Sequence, residues 1–184
     1  MRVISGSAKG TRLKTPEGLL TRPTSDRVKE AIFSVIQFEV EGSRFLDLFG
    51  GSGQMGIEAL SRGAVSAVFV DGRREACKLI SDNLKLTRLS EKGRVIQADY
   101  LAYLERCQET FDLIFLDPPY AEVFLENALK KISEIDILSS RGIIICERPA
   151  DKLLDLEIPG LQRGKDYRYG KTWVTLFRKA QEMI

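Results

Sequence analysis

The stretch FLDLFGGSGQMGIEAL, residues 45–60, changes character twice. Phe45, Leu46, Leu48 and Phe49 form an apolar run broken only by Asp47, Gly50 to Gly53 form a glycine-rich turn, and Met55, Ile57, Ala59 and Leu60 read as a helix. Strand, turn and helix in that order, with Gly51-x-Gly53-x-x-Gly56 at the turn, match the dinucleotide-binding pattern. Glycine there permits a tight turn and lets a ligand approach the backbone at a helix N-terminus. The glycines alone are a weak signal. Asp71 strengthens it, because it ends the next apolar run, AVFVD, twenty residues after Gly51, where a carboxylate can accept from ribose hydroxyls.

Outward from this unit the alternation continues. Apolar runs at Phe45–Phe49, Ala67–Val70, Val95–Ala98, Leu113–Leu116 and Ile143–Cys146 alternate with helical segments near 54–62, 74–88, 100–107 and 122–133. Such alternation predicts an α/β fold: a doubly wound, mostly parallel sheet with helices on both faces. Asp166–Tyr169, Gly170-Lys171 and Thr172–Phe177 read as an antiparallel hairpin at the far edge. The front is a separate piece. RVISGSAKGTRLKTP predicts a small basic β-hairpin, and TRPTSDRVKEAIFSVI a helix with Thr24 as N-cap and Val28, Ala31, Ile32 and Val35 as its apolar stripe. Residues 1–40 are thus expected to be a separate basic extension and 41–184 the main domain, although length alone favours one domain.

Asp47 decides which nucleoside-bearing ligand fits. Its carboxylate would repel a pyrophosphate and attract the ammonium of a methionine moiety, by several kcal/mol at an effective dielectric of ~20. The expected cofactor is therefore S-adenosylmethionine and not NAD. Phe49, Ser52 and Gly53 belong to the same loop, and Asp99, ending VIQAD, is placed to accept the adenine amino group with Tyr100 beside the ring. Asp99 also reads as an N-cap, and the two roles are compatible.

The second motif is LDPPY, where an apolar strand stops at Asp117, followed by Pro118, Pro119 and Tyr120. An exocyclic amine on a nucleobase is a poor nucleophile because its lone pair is delocalised. Hydrogen bonds from its N–H groups to the Asp117 carboxylate and the Pro118 carbonyl would draw the nitrogen toward tetrahedral geometry. Two prolines hold that carbonyl still, and Tyr120 would stack on an extruded base.

Composition bounds the alternatives. The chain of 184 residues has no histidine, which removes Ser-His-Asp and Cys-His triads and histidine-bound metals. Its three cysteines show no CxxC spacing, so neither a disulfide framework nor a metal site is expected. No apolar run approaches ~20 residues, and charges interrupt the first twenty positions, so a cytoplasmic protein is expected. Net charge is only +2, yet residues 1–29 hold seven Lys/Arg against Glu17 and Asp26. Arg2, Lys9, Arg12, Lys14, Arg22 and Arg27 are the candidate RNA contacts of this basic arm, for which a solvated surface hairpin is the plainer reading. Thr24 and Asp26 read as structural residues of the helix start.

LDLFGGSG with LDPPY resembles the class I S-adenosylmethionine-dependent methyltransferases that act on exocyclic amines. RVISGSAKGTRL, RPTSDRVKEAIFSVI, GIEALSRGA and YRYGKTWVTLF narrow the resemblance, nearly end to end, to the RsmD family of guanine-N2 methyltransferases of 16S ribosomal RNA. The resemblance implies a Rossmann-like seven-strand sheet, S-adenosylmethionine as methyl donor and a guanine in the 16S ribosomal RNA of the assembling small subunit as target; separately, no metal, no membrane association and a monomer are expected. It carries cofactor binding to Asp47, Gly51, Gly53 and Asp71, and catalysis to Asp117, Pro118, Pro119 and Tyr120. Gly50 stands where the family usually has Ala, and Asp71 where it usually has Glu. Residue chemistry alone leaves an adenine-N6 methyltransferase open; an NAD-dependent oxidoreductase and a non-catalytic RNA-binding module are more remote.

Overall fold

The computed structural model describes residues 1–15, 24–119, 121–150 and 157–180. Helix α1 (Asp26–Val35) precedes β1 (Arg44–Asp47), α2 (Gln54–Ser61), β2 (Ser66–Asp71), α3 (Arg74–Thr87), β3 (Gly93–Gln97) and α4 (Tyr100–Arg106). Then come β4 (Phe111–Leu116), α5 (Ala121–Ile135), β5 (Leu138–Pro149), β6 (Leu161–Tyr169) and β7 (Thr172–Lys179). The strands form one seven-stranded Rossmann-like sheet in the order β3-β2-β1-β4-β5-β7-β6. Strands β1 to β5 pair in parallel, and β7 runs antiparallel between β5 and β6. Strand order reverses between β1 and β4, and ligands of open α/β sheets bind outside the strand ends at such a switch point.

Both faces of the sheet are covered, as its near-continuous apolar strands require. Successive side chains alternate sides, so Phe45, Ala67, Phe69, Leu113, Phe115 and Ile143 pack in the cluster that includes α1, α2 and α3. Leu46, Val68, Val70, Ile114, Leu116 and Ile144 pack with α4 and α5 on the other side. Among the described residues no helix is long and apolar enough to cross a membrane.

The front of the chain differs from expectation. The N-terminal hairpin reduces to one isolated antiparallel bridge between Arg2 and Arg12, while Val3, Ala8 and Leu13 are buried in the α1–α3 cluster. The N-cap of α1 is Ser25, whose side chain accepts from the Val28 N–H, and not Thr24. The buried face of α1 is Val28, Lys29, Ile32 and Phe33, whereas Val35 is exposed. A lysine on the buried face hides the stripe from a hydrophobicity reading. Lys29 is tolerated because its Nζ lies 3.6 Å from Glu58 and donates to the Arg2 carbonyl at 2.5 Å. Glu58 also accepts from the backbone N–H groups of Ile4 and Ser5 at 2.8 and 3.0 Å, clamping the arm onto α2. At the far edge, β5 and β6 outrun their apolar segments. Strand β6 is an edge strand whose charged side chains carry no apolar alternation to read.

Candidate active site at the strand ends

Four carboxylates gather at the C-terminal ends of the parallel strands. Asp47 ends β1, Asp71 ends β2, Asp117 follows β4 and Glu147 lies near the end of β5. Their neighbours Leu46, Val70, Leu116 and Cys146 all point toward α4 and α5, so strand alternation turns the four acids to the α1–α3 face. Leu116 pairs with Cys146, which sets Asp117 beside Glu147 on adjacent strands.

The glycine loop has the conformation its sequence demands. Gly51 and Gly53 have φ of +55° and +78°, and Gly53 caps α2. A Cβ on Gly51 would meet only the Phe49 carbonyl oxygen, at 3.9 Å, so the backbone there is open to an approaching ligand. At Gly56 a Cβ would strike the Phe69 ring at 2.3 Å, so the third glycine serves helix-to-strand packing. Gly50 has a local reason too: a Cβ there would press on Ile80 Cδ1 at 2.8 Å, and Ile80 is fully buried. Ser52 sits in this loop with its hydroxyl 3.4 Å from the Met1 sulfur.

Asp47 is 2% exposed and accepts one long hydrogen bond, from the Gly56 N–H at 3.4 Å. Burial pushes its carboxyl up to about 8, against that hydrogen bond and with help from the charge of Asp71. A buried acid with so few donors fits a cationic group, such as the ammonium of a methionine moiety. Asp71 is richly partnered. It accepts from the Gly51 N–H at 3.0 Å and the Arg73 N–H at 2.9 Å, and from Arg73 Nε and Nη2 at 3.1 and 3.2 Å. A ribose could reach both oxygens only if the half-exposed Arg73 side chain swung away.

Asp99 is an N-cap in fact. Its Oδ1 accepts from the Leu101 and Ala102 N–H groups at 2.9 and 3.2 Å, and that leaves Oδ2 for a ligand amino group. Tyr100 is buried, with its ring 5.1 Å from the half-buried Phe49 ring and 5.3 Å from Phe124. Its contact with a ligand therefore runs through Phe49, which it supports.

Burial raises the Asp117 carboxyl well above the usual carboxylate range, and the nearby Glu147 and Asp47 add to the effect. Pro118 is buried and Pro119 exposed; Tyr120 lies outside the described residues. Glu147 is buried, and its Oε2 accepts from the Thr24 hydroxyl at 2.7 Å. Gln54, first residue of α2, donates to the Thr24 carbonyl at 3.1 Å. Thr24 thereby ties the start of α1 to both the glycine loop and β5. Sequence reasoning missed Glu147, Arg73 and Asn83. The buried Asn83 amide donates to the Ser52 and Lys14 carbonyls at 2.9 and 3.1 Å, joining loop and arm. A polar residue amid an apolar helix face was the available signal for Asn83; Glu147 and Arg73 offered none.

The basic candidates are not one free patch. Arg2 lies 3.8 Å from Asp26, Lys14 is 3.0 Å from Asp82, and Arg12 faces Arg2 across the bridge. Lys9 and Arg27 are exposed, and Arg22 lies outside the described residues. Among the described residues no cluster of acids or cysteines could hold a metal ion.

Comparison with known proteins places the chain in a family. Residues 1–178 match the family described as conserved hypothetical protein 95. A Bacillus subtilis protein provisionally named an rRNA methyltransferase, YlbH, is 42% identical over 97% of this chain and 99% of its own. The ribosomal RNA small subunit methyltransferase D of Haemophilus influenzae is 34% identical over 84% of this chain and 81% of its own. Among solved structures, a Thermus thermophilus hypothetical protein superposes with a TM-score of 0.83 at 30% identity, covering 97% of this chain and 99% of that one. With its strand-end carboxylates, glycine loop and near-complete match, the chain belongs to the conserved hypothetical protein 95 family, the RsmD-family methyltransferases.

Proposed function

We propose that the protein transfers a methyl group from S-adenosylmethionine to the exocyclic N2 amine of a guanine in 16S ribosomal RNA of the assembling small subunit. The observation that carries this reading is Asp117, half-buried at the end of β4 on the same face as Asp47, Asp71 and the open Gly51 backbone. Asp47 is near enough to Asp117 to act on its charge, so a ligand cation held at Asp47 would lie close to Asp117. The name small subunit methyltransferase D, borne by relatives in Haemophilus influenzae and Escherichia coli, supports ribosomal RNA as substrate.

Bound S-adenosylmethionine supplies an activated methyl group, with Asp47 holding its ammonium, Asp71 its ribose and Asp99 its adenine. The chain's own part is to prepare the amine. Asp117 and the Pro118 carbonyl accept its two N–H bonds, freeing the lone pair for attack on the methyl carbon as the carbon–sulfur bond breaks. N–H donors and a nearby positive charge favour the ionised carboxylate against burial. The extra proton on the methylated nitrogen can then pass to Asp117, whose raised affinity for protons suits an acceptor. Tyr120 stacks on the base, while Arg2, Lys9, Arg12, Lys14, Arg22 and Arg27 meet phosphates as an RNA-contacting extension. The enzyme acts in the cytoplasm as a monomer.

The deciding experiment incubates the protein with methyl-labelled S-adenosylmethionine and small subunits, or naked 16S RNA, from cells lacking it. Nucleoside analysis should show label in N2-methylguanosine. Label in N6-methyladenosine would replace guanine by adenine, and no label in either RNA would end the reading.

A further inference from the structure

The C-terminal hairpin matches the N-terminal arm in charge and differs in what the fold does with it. Residues 161–179 hold six Lys/Arg against Asp166 alone. Arg163 is paired with Asp166 at 2.7 Å, Arg178 with Glu39 at 3.3 Å and Lys179 with Asp136 at 2.6 Å. Lys165, Arg168 and Lys171 are exposed, and among the described residues none has a carboxylate partner. Two of them lie over aromatic rings: the Arg168 guanidinium is 5.9 Å from the Trp173 centroid, and Lys165 Nζ is 5.4 Å from that of Tyr167. Arg148 covers Trp173 as well, at 5.4 Å. Arg168 Nε also donates to the Gly170 carbonyl at 3.4 Å, which fixes its fork at the hairpin tip.

The register says where this tip lies. Asp117 stands beside Glu147, Glu147 pairs with Val174 and Val174 with Tyr167. Three strand spacings of about 4.8 Å put the level of Tyr167 roughly 14 Å from Asp117. Arg168 and the Gly170-Lys171 turn lie just beyond, at the catalytic end of the sheet. At ~3.4 Å per stacked nucleotide, that distance spans about four nucleotides.

We infer that the β6–β7 tip, through Lys165, Arg168 and Lys171, grips the phosphates of the single strand that flanks the target base. The surface faces RNA and not an acidic protein, because cations with no carboxylate partner, held on aromatic rings along one edge, suit a run of evenly spaced phosphates. This rests on the ribosomal RNA reading above and adds a second contact rim, opposite the N-terminal arm.

Trp173 is the chain's single tryptophan, so its emission reports on the patch directly. The probe is a short single-stranded uridine oligonucleotide, titrated at several salt concentrations into wild type, K165A/R168A/K171A and the charge-keeping K165R/R168K/K171R. Phosphate contacts to a single strand each contribute ~0.7 to the log–log salt slope. The neutral variant should therefore lose about 2 from that slope, while the charge-keeping variant matches wild type. S-adenosylhomocysteine affinity should be unchanged in all three, which also shows that the site is folded. A neutral variant with the wild-type slope would overturn the inference, leaving the phosphate contacts to the arm or the tip to an acidic protein. Wild-type protein that binds neither the oligonucleotide nor 16S RNA would overturn this inference and the RNA reading together.

Discussion

Asp47 and Asp71 end neighbouring strands and face the same side of the sheet, yet they live in opposite electrostatic worlds. Asp71 receives two backbone N–H groups and the Arg73 fork, so its charge is met by donors within the free protein. Asp47 is deeper, with one long hydrogen bond, and its carboxyl sits near 8. Asp117 stands with Asp47, raised by burial and by two neighbouring acids. One kind of acid is finished by the fold and the other is left for a ligand to finish. The two should respond differently to substitution, to pH and to loss of their neighbours.

The largest effect should come from Asp47. Truncating one partner of a buried charge pair costs about 2–5 kcal/mol, so calorimetry with S-adenosylhomocysteine should show Asp47→Asn losing binding on that scale. Affinity within twofold of wild type would mean that Asp47 holds no cation. Asp117→Ala should slow single-turnover methyl transfer on the order of 10²-fold or more at saturating cofactor. Asp117→Asn should keep weak activity, since a neutral acceptor is roughly half as strong. Rates that fall only with the folded fraction would move Asp117 to a structural role.

Asp71→Ala should weaken cofactor binding by about 1.5–3 kcal/mol, the range for hydrogen bonds to a charged group. An effect larger than that of Asp47→Asn would reverse the comparison. The pH response follows the raised group. Asp47 titrates near 8 in the folded chain and at ~3.9 when unfolded, so between these values the native state binds the extra proton. Stability is full below the lower value and is lost as pH rises through the upper one, by up to about 1.4 kcal/mol per pH unit. Denaturant titrations of the free protein from pH 5 to 8 should show that decline, and Asp47→Asn should make it shallower, leaving the share of Asp117. The smallest effect is opposite in sign: Arg73→Ala should tighten cofactor binding by up to ~1 kcal/mol, because the half-exposed Arg73 side chain no longer competes for Asp71. Weaker binding in that variant would make Arg73 a ligand contact.

Much of this was legible in the sequence. Apolar runs and glycine spacing placed the parallel strands, the loop and the acids at their ends, because those features depend on local periodicity and chain reversal. Environment was not legible. Nothing in LDLFGG says that Asp47 would be starved of donors while Asp71 gained Arg73 from its own turn. Glu147 was invisible because its meaning comes from the β4–β5 register, and its partner Thr24 is over a hundred positions away. The surroundings of the arm were hidden for a related reason. Its charge count was right, but Arg2, Lys14 and Lys29 meet acids contributed by three helices, a fact of packing alone.

A chain without histidine has an unusually quiet titration around neutrality, where imidazole is the one side chain that normally changes charge. Burial has moved Asp47, at the end of β1, to the edge of that empty window, at about 8. A proton that Asp47 exchanges with solvent near that pH is therefore a proton of the site itself. A pH indicator in weakly buffered solution becomes a reporter of cation binding at Asp47, with no label needed. The arithmetic has a definite sign: a cation settling beside a protonated Asp47 releases a proton, and the Asp47→Asn variant, whose neutral amide has none to give, releases nothing.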